Sequence, residues 1–100
     1  NPVGVALAFE RRAAQLAQLS ARMRPGEDVG SFVESQKRAR RIFFKDERDI
    51  AEQLRIWRGK RLDRLVSRLT ALHQALLANS QQAELLLAQE IAWIARAASR

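Results

Sequence analysis

His73 is the only imidazole in the chain, and Asp46, Glu47, Asp49 and Glu52 form its densest group of carboxylates. A general acid–base pair or a metal centre would have to be built from these residues. A metal needs several ligands, and one imidazole without cysteine or convergent carboxylates does not supply them. His73 falls within an apolar helical arc, so its expected role is that of a core histidine bonded to a backbone carbonyl. The carboxylates are interspersed with Lys45, Arg48 and Arg55. Helix capping and ion pairs three or four residues apart account for them. The four glycines lack phosphate-loop spacing. With no cysteine, disulfides, thiolate metal sites and cysteine nucleophiles are excluded. No catalytic, cofactor-binding or metal-binding residue is assigned.

The remaining chemistry is cationic. Between Lys37 and Arg68 lie 12 Lys/Arg and 5 Asp/Glu, while the rest of the chain holds 6 of each. The whole net charge of +7 therefore sits in the middle third, which suits an anionic partner or neighbourhood. The same stretch carries Phe43, Phe44 and Trp57. Base stacking would need those rings exposed, with cations tracking phosphates. Trp57 instead shares a helical stripe with Ile50 and Leu54. Phe43 and Phe44 precede a helix start, where a hydrophobic staple is common. All three aromatics are expected to be buried, and Arg38, Arg40, Arg41, Arg58, Lys60, Arg61, Arg64 and Arg68 to face solvent or a partner.

The elements that position these residues read as helices throughout, because no stretch sustains strand-like alternation. Phe9, Leu16, Leu19 and Met23 mark one face of a first helix, ended by Arg24-Pro25-Gly26. A short second helix holds Val29, Phe32 and Val33, capped by Asp28 or by a Ser31–Glu34 capping box, and Gln36–Arg41 reads as a solvated connection. Asp46 is placed to cap a third helix, with Ile50, Leu54 and Trp57 buried. In the fourth, Leu62, Leu65, Val66, Leu69, Leu72, His73, Leu76 and Leu77 fill an arc of about 140°. Arg61, Arg64 and Arg68 form a ridge beside it. Ser80 is the expected cap of a fifth helix with two apolar stripes, Leu87/Ile91/Ile94/Ala98 and Leu86/Trp93/Ala97. An arc that wide implies burial on two sides.

One hundred residues is one domain's worth of chain, expected to be a compact all-α bundle of about five helices. Beginning at Asn1, it reads as a piece of a longer or processed protein. No apolar run approaches the roughly 20 residues that span a bilayer, and Asn1–Ser20 lacks signal-peptide order. No membrane partner is expected.

The run "IFFKDERDIAEQLRIWRGKRLDRLVSRLTAL" resembles the C-terminal domain of the delta subunit of bacterial DNA polymerase III, the clamp loader. The matching residues are Phe43, Phe44, Lys45, Leu54, Trp57, Leu62, Leu65, Leu69 and Leu72. "NPVGVALAFERRAAQLAQLSARMRPGE" is similar to that domain's opening helix, and "AELLLAQEIAWIARAASR" to its closing one. Where the family commonly has a small hydroxyl residue after the Trp, this chain has Arg58 and must lean on Gly59. The resemblance implies a cytoplasmic, non-catalytic collar domain that joins other clamp-loader subunits into a ring. The sliding clamp and DNA would be reached through the parent complex. On this reading Arg61, Arg64, Arg68, Leu86 and Trp93 are the candidate partner contacts. The alternative is a stand-alone basic helical module that binds nucleic acid through residues 37–68. The turn at residues 78–82 has neither aromatic nor cation and is assigned no DNA contact.

Overall fold

The first helix begins where Asn1 accepts the Val3 amide at 3.0 Å and Pro2 opens the first turn. The computed structural model describes all 100 residues, as five α-helices and two single-turn 3-10 segments with no strand. The helices are α1 (Pro2–Arg22), α2 (Val29–Arg38), α3 (Glu47–Ile56), α4 (Gly59–Ala78) and α5 (Ala83–Ala98). α1 lies along α4, α5 rests on α4 and α1, and α2 pairs with α3, which touches α1. The molecule measures 44 × 27 × 18 Å.

In α1 the residues turned fully inward are Ala6, Ala13, Leu16 and Leu19. Phe9, expected on the buried face, lies at its edge and is 37% exposed. Gly26, at φ 77°, turns the chain into α2; a side chain in that left-handed region would be strained. Asp28 caps α2, accepting the Ser31 amide at 2.9 Å. That bond holds its carboxyl below the usual aspartate range. Because Asp28 takes this amide, the Ser31–Glu34 box does not form.

α2 runs further than the sequence suggests. Gln36 is buried inside it and the connection begins only after Arg38. Two bonds close its end: the Arg40 amide donates to Lys37 O at 2.9 Å and the Arg41 amide to Gln36 O at 3.0 Å. This is the Schellman arrangement, which places its turn residue in the left-handed region. Here that residue is Arg40, at φ 62°, where glycine is usual. Arg40→Gly should raise the unfolding free energy by about 1 kcal/mol. The melting midpoint should then rise by about 4–8 °C, and thermal denaturation followed by circular dichroism measures it.

The next three residues correct the expectation for the aromatics. Ile42 is 3% exposed, whereas Phe43 and Phe44 are 57% and 64% exposed. Phe43 is extended, and side chains alternate along extended backbone. Ile42 takes the inward position, so Phe43 turns out. Phe44 opens a 3-10 turn, Phe44–Asp46, that leads directly into α3, and both rings stay exposed there instead of packing as a staple. Asp46 accepts no capping bond. Its carboxylate lies 3.7 Å from Arg12 of α1 instead, and Glu47 and Asp49 are left to meet the positive end of α3.

Trp57 is 5% exposed, and Leu54, Leu62, Leu65, Leu69 and Leu72 are buried with it in one hydrophobic cluster. Gly59, at φ 54°, begins α4. Arg58 makes no cap for α4 and donates its Nε to Leu54 O at 2.8 Å, closing the end of α3. Leu77, expected within the buried arc, is 68% exposed. Ser80 makes no capping bond; it opens a 3-10 turn, Ser80–Gln82, ahead of α5.

Candidate functional site

The carboxylates of the α3 region are largely occupied by cations. Lys37 Nζ bridges Glu34 at 3.0 Å and Glu47 at 3.1 Å, tying α2 to α3. The hydrogen bond from Lys37 holds Glu34 below the usual carboxylate range, and Glu34 raises Lys37 in return. Arg48 lies 3.7 Å from Glu52. His73 is half-buried, and its Nδ1 is 3.2 Å from Glu10 Oε2. Its neighbour is thus a carboxylate on α1 rather than the backbone carbonyl expected, and Glu10 Oε2 accepts no hydrogen bond there. No three His, Asp or Glu side chains converge as a metal centre.

The arginine ridge and the residues of α5 meet at one place. Arg68 donates to both Glu90 oxygens, at 2.6 and 3.1 Å. Its guanidinium also lies 4.1 Å from the centre of the Trp93 ring. Trp93 also stacks on Trp57 with centroids 6.5 Å apart and planes 26° apart. Arg68, Trp93 and Trp57 together therefore tie α5 to α4 and the end of α3. Arg61 donates to Ile56 O at 3.4 Å and to Arg100 O at 3.3 Å. Leu86 and Trp93 are half-buried and pack against the core. Of the five residues singled out as partner contacts, only Arg64 is exposed. With Asp63, Ser67, Arg68, Trp93 and Arg100 it lines an open concavity of about 400 Å³.

The opposite side of α5 presents a surface that residue spacing alone did not single out. Ala83, Leu86, Leu87, Glu90, Trp93, Ile94, Ala97 and Ala98 are half-buried and none of the helix is fully buried. The exposed arc holds Leu85, Ala88, Ile91, Ala92 and Ala95, broken only by Glu84, Gln89 and Arg96. Leu85 is 58% and Ile91 43% exposed, with Leu77 of α4 nearby in sequence and also exposed. The sequence signal was the excess of apolar residues on α5. Both expected stripes face the core apart from Ile91, and the rest of the outward arc, Leu85, Ala88, Ala92 and Ala95, belongs to neither.

A second exposed group lies at the α2–α3 connection. Phe43 and Phe44 make an edge-to-face pair with centroids 4.9 Å apart and planes at 63°. Lys37, Arg40, Arg41 and Ile42 complete the walls of an open groove beside them, also about 400 Å³. No carboxylate lines it. No helix of the protein is long and apolar enough to cross a membrane. In comparisons with known protein families, curated proteins and solved structures, the chain matches none.

Proposed function

We propose that this chain is a subunit-assembly module, the collar domain of the delta subunit of a DNA polymerase III clamp loader. It would hold that subunit in the cytoplasmic ring that loads the sliding clamp in DNA replication. The observation that carries the reading is the outward arc of α5. A helix that is apolar on nearly every side is ordinarily covered on every side, and this one has protein against only half of its surface. Ala88, Ala92 and Ala95, exposed beside Leu85 and Ile91, leave room for a neighbouring helix to lie close. The resemblance of the chain to the collar domain supplies the partner, namely other clamp-loader subunits. Chemistry, clamp opening and DNA contact would belong to the rest of the complex. The module itself is read as non-enzymatic.

Interface energy concentrates in a few central residues, each worth about 2 kcal/mol or more. Reconstituting the loader with Leu85→Lys/Ile91→Lys should therefore weaken co-purification about tenfold or more. The isolated chain should keep its melting midpoint, since exposed substitutions shift stability by only about 0.5 kcal/mol. Unchanged co-purification would remove α5 from the interface and the reading with it.

A second reading, direct nucleic-acid binding through residues 37–68, is favoured by one observation. The phenyl rings that packing was expected to hide are exposed among Arg40, Arg41 and Lys45, none of which forms an ion pair.

A further inference from the structure

We infer that the α2–α3 connection is a binding site for single-stranded nucleic acid, with unpaired bases on Phe43 and Phe44 and phosphates on Arg40 and Arg41. The inference rests on the second reading above and narrows it from a 32-residue basic stretch to one knuckle. Three features of the structure carry it.

First, the rings are available. An edge-to-face pair occupies at most one face of one ring, and both side chains are more than half exposed. Base–aromatic stacking needs such open faces and tolerates any base, because every base has a π-face. Second, the groove beside the rings is purely cationic. Lys37, Arg40 and Arg41 supply its charge and no carboxylate enters its walls. Lys37 is committed to Glu34 and Glu47, which leaves Arg40 and Arg41 to meet phosphate. Past Phe44 only Lys45 adds unpaired positive charge, because Arg48 is matched there by Glu52. Third, Arg40 holds a left-handed turn that glycine would make without strain. What arginine adds at that position is its side chain.

The geometry favours a single strand over a duplex. Bases stacked inside a double helix offer no face to a phenyl ring, whereas unstacked bases do. It also favours nucleic acid over an acidic peptide. Peptide anchors insert into well-packed pockets, whereas this groove is open and its aromatic walls are more than half exposed.

The test compares the 100-residue chain with its variants by fluorescence anisotropy, using labelled oligothymidylate and a labelled mixed-sequence duplex. The wild-type chain should bind the single strand more tightly than the duplex, with affinity falling steeply as salt rises. Phe43→Ala/Phe44→Ala should weaken single-strand binding about tenfold or more and leave duplex binding unchanged. Phe43→Tyr/Phe44→Tyr should retain it, which separates stacking from any loss of fold. Arg40→Gly should weaken both and flatten the salt dependence by about one phosphate contact. Equal affinity for duplex and single strand, unmoved by the Phe43 and Phe44 changes, would overturn this site while leaving the broader basic surface standing. No binding at low salt would overturn both. Loss of loader co-purification in the alanine pair, with single-strand affinity intact, would make the knuckle a protein contact and overturn the proposal.

Discussion

Trp93→Ala should lower the unfolding free energy by about 3 kcal/mol, the lower end of what truncating a core aromatic costs. The lower end applies because the ring is half-buried. Three losses combine. The apolar contact with Trp57 disappears, the Arg68 guanidinium loses the ring beneath it, and a space opens between α5 and α4 beside Arg64 and Arg68. A domain of this size holds about 5–15 kcal/mol in total, so the melting midpoint should fall by more than about 10 °C. Urea denaturation and calorimetry measure the change. Trp57 remains as the sole tryptophan, and its emission should shift to the red as α5 loosens above it. Phe43→Ala provides the contrast: the same class of residue, largely exposed, should move stability by no more than about 0.5 kcal/mol. Equal losses at the two positions would mean that α5 is not anchored by the tryptophan pair.

That contrast also shows where the sequence stopped being informative. Helix number and order follow from periodicity, because Leu62, Leu65, Leu69 and Leu72 repeat on one face whatever they pack against. Punctuation by Pro25, Gly26 and Gly59 marks two of the breaks. The misplaced residues are those whose position depends on a neighbour not set by local spacing. Ile42 claimed the inward position ahead of Phe43 and Phe44, and one residue of difference along extended backbone reverses which side chain is buried. Asp46 is an excellent cap by type, yet Arg12, far away in sequence, lies beside its carboxylate. His73 found Glu10 on α1 for the same reason.

The candidate interface follows this pattern. Trp and Arg are enriched in interface hot spots, which makes Trp93 and Arg68 attractive choices from sequence. The same properties, a large flat ring and a planar cation, serve equally well inside a fold. In this chain they are spent on holding α5 in place. The residues left facing outward are plainer, Leu85 and Ile91 among alanines.

Arg68 should prove the second most sensitive position, and its effect should depend on Glu90. The Glu90 side chain is only 13% exposed, while that of Arg68 is 41% exposed. Removing Arg68 strands a carboxylate that water barely reaches. Breaking a fully buried pair this way costs about 3–5 kcal/mol; partial exposure of the arginine reduces the expected cost to about 2 kcal/mol. Removing Glu90 should cost less, because the freed guanidinium can swing into solvent while its stem still covers the Trp93 ring. Arg68→Met should therefore destabilise more than Glu90→Leu. The double variant should recover most of the loss, since replacing both charges with apolar groups leaves nothing unpaired. Chemical denaturation of the four proteins gives the coupling energy directly, expected at about 1–2 kcal/mol. Additive effects would show that the 2.6 Å contact contributes nothing. The cycle also tests the proposed role in clamp-loader assembly. If Arg68 acts by setting the angle at which α5 presents Leu85 and Ile91, Arg68→Met should weaken loader co-purification and the double variant should restore it. If Arg68 itself touched another subunit, the double variant would assemble no better than the single one.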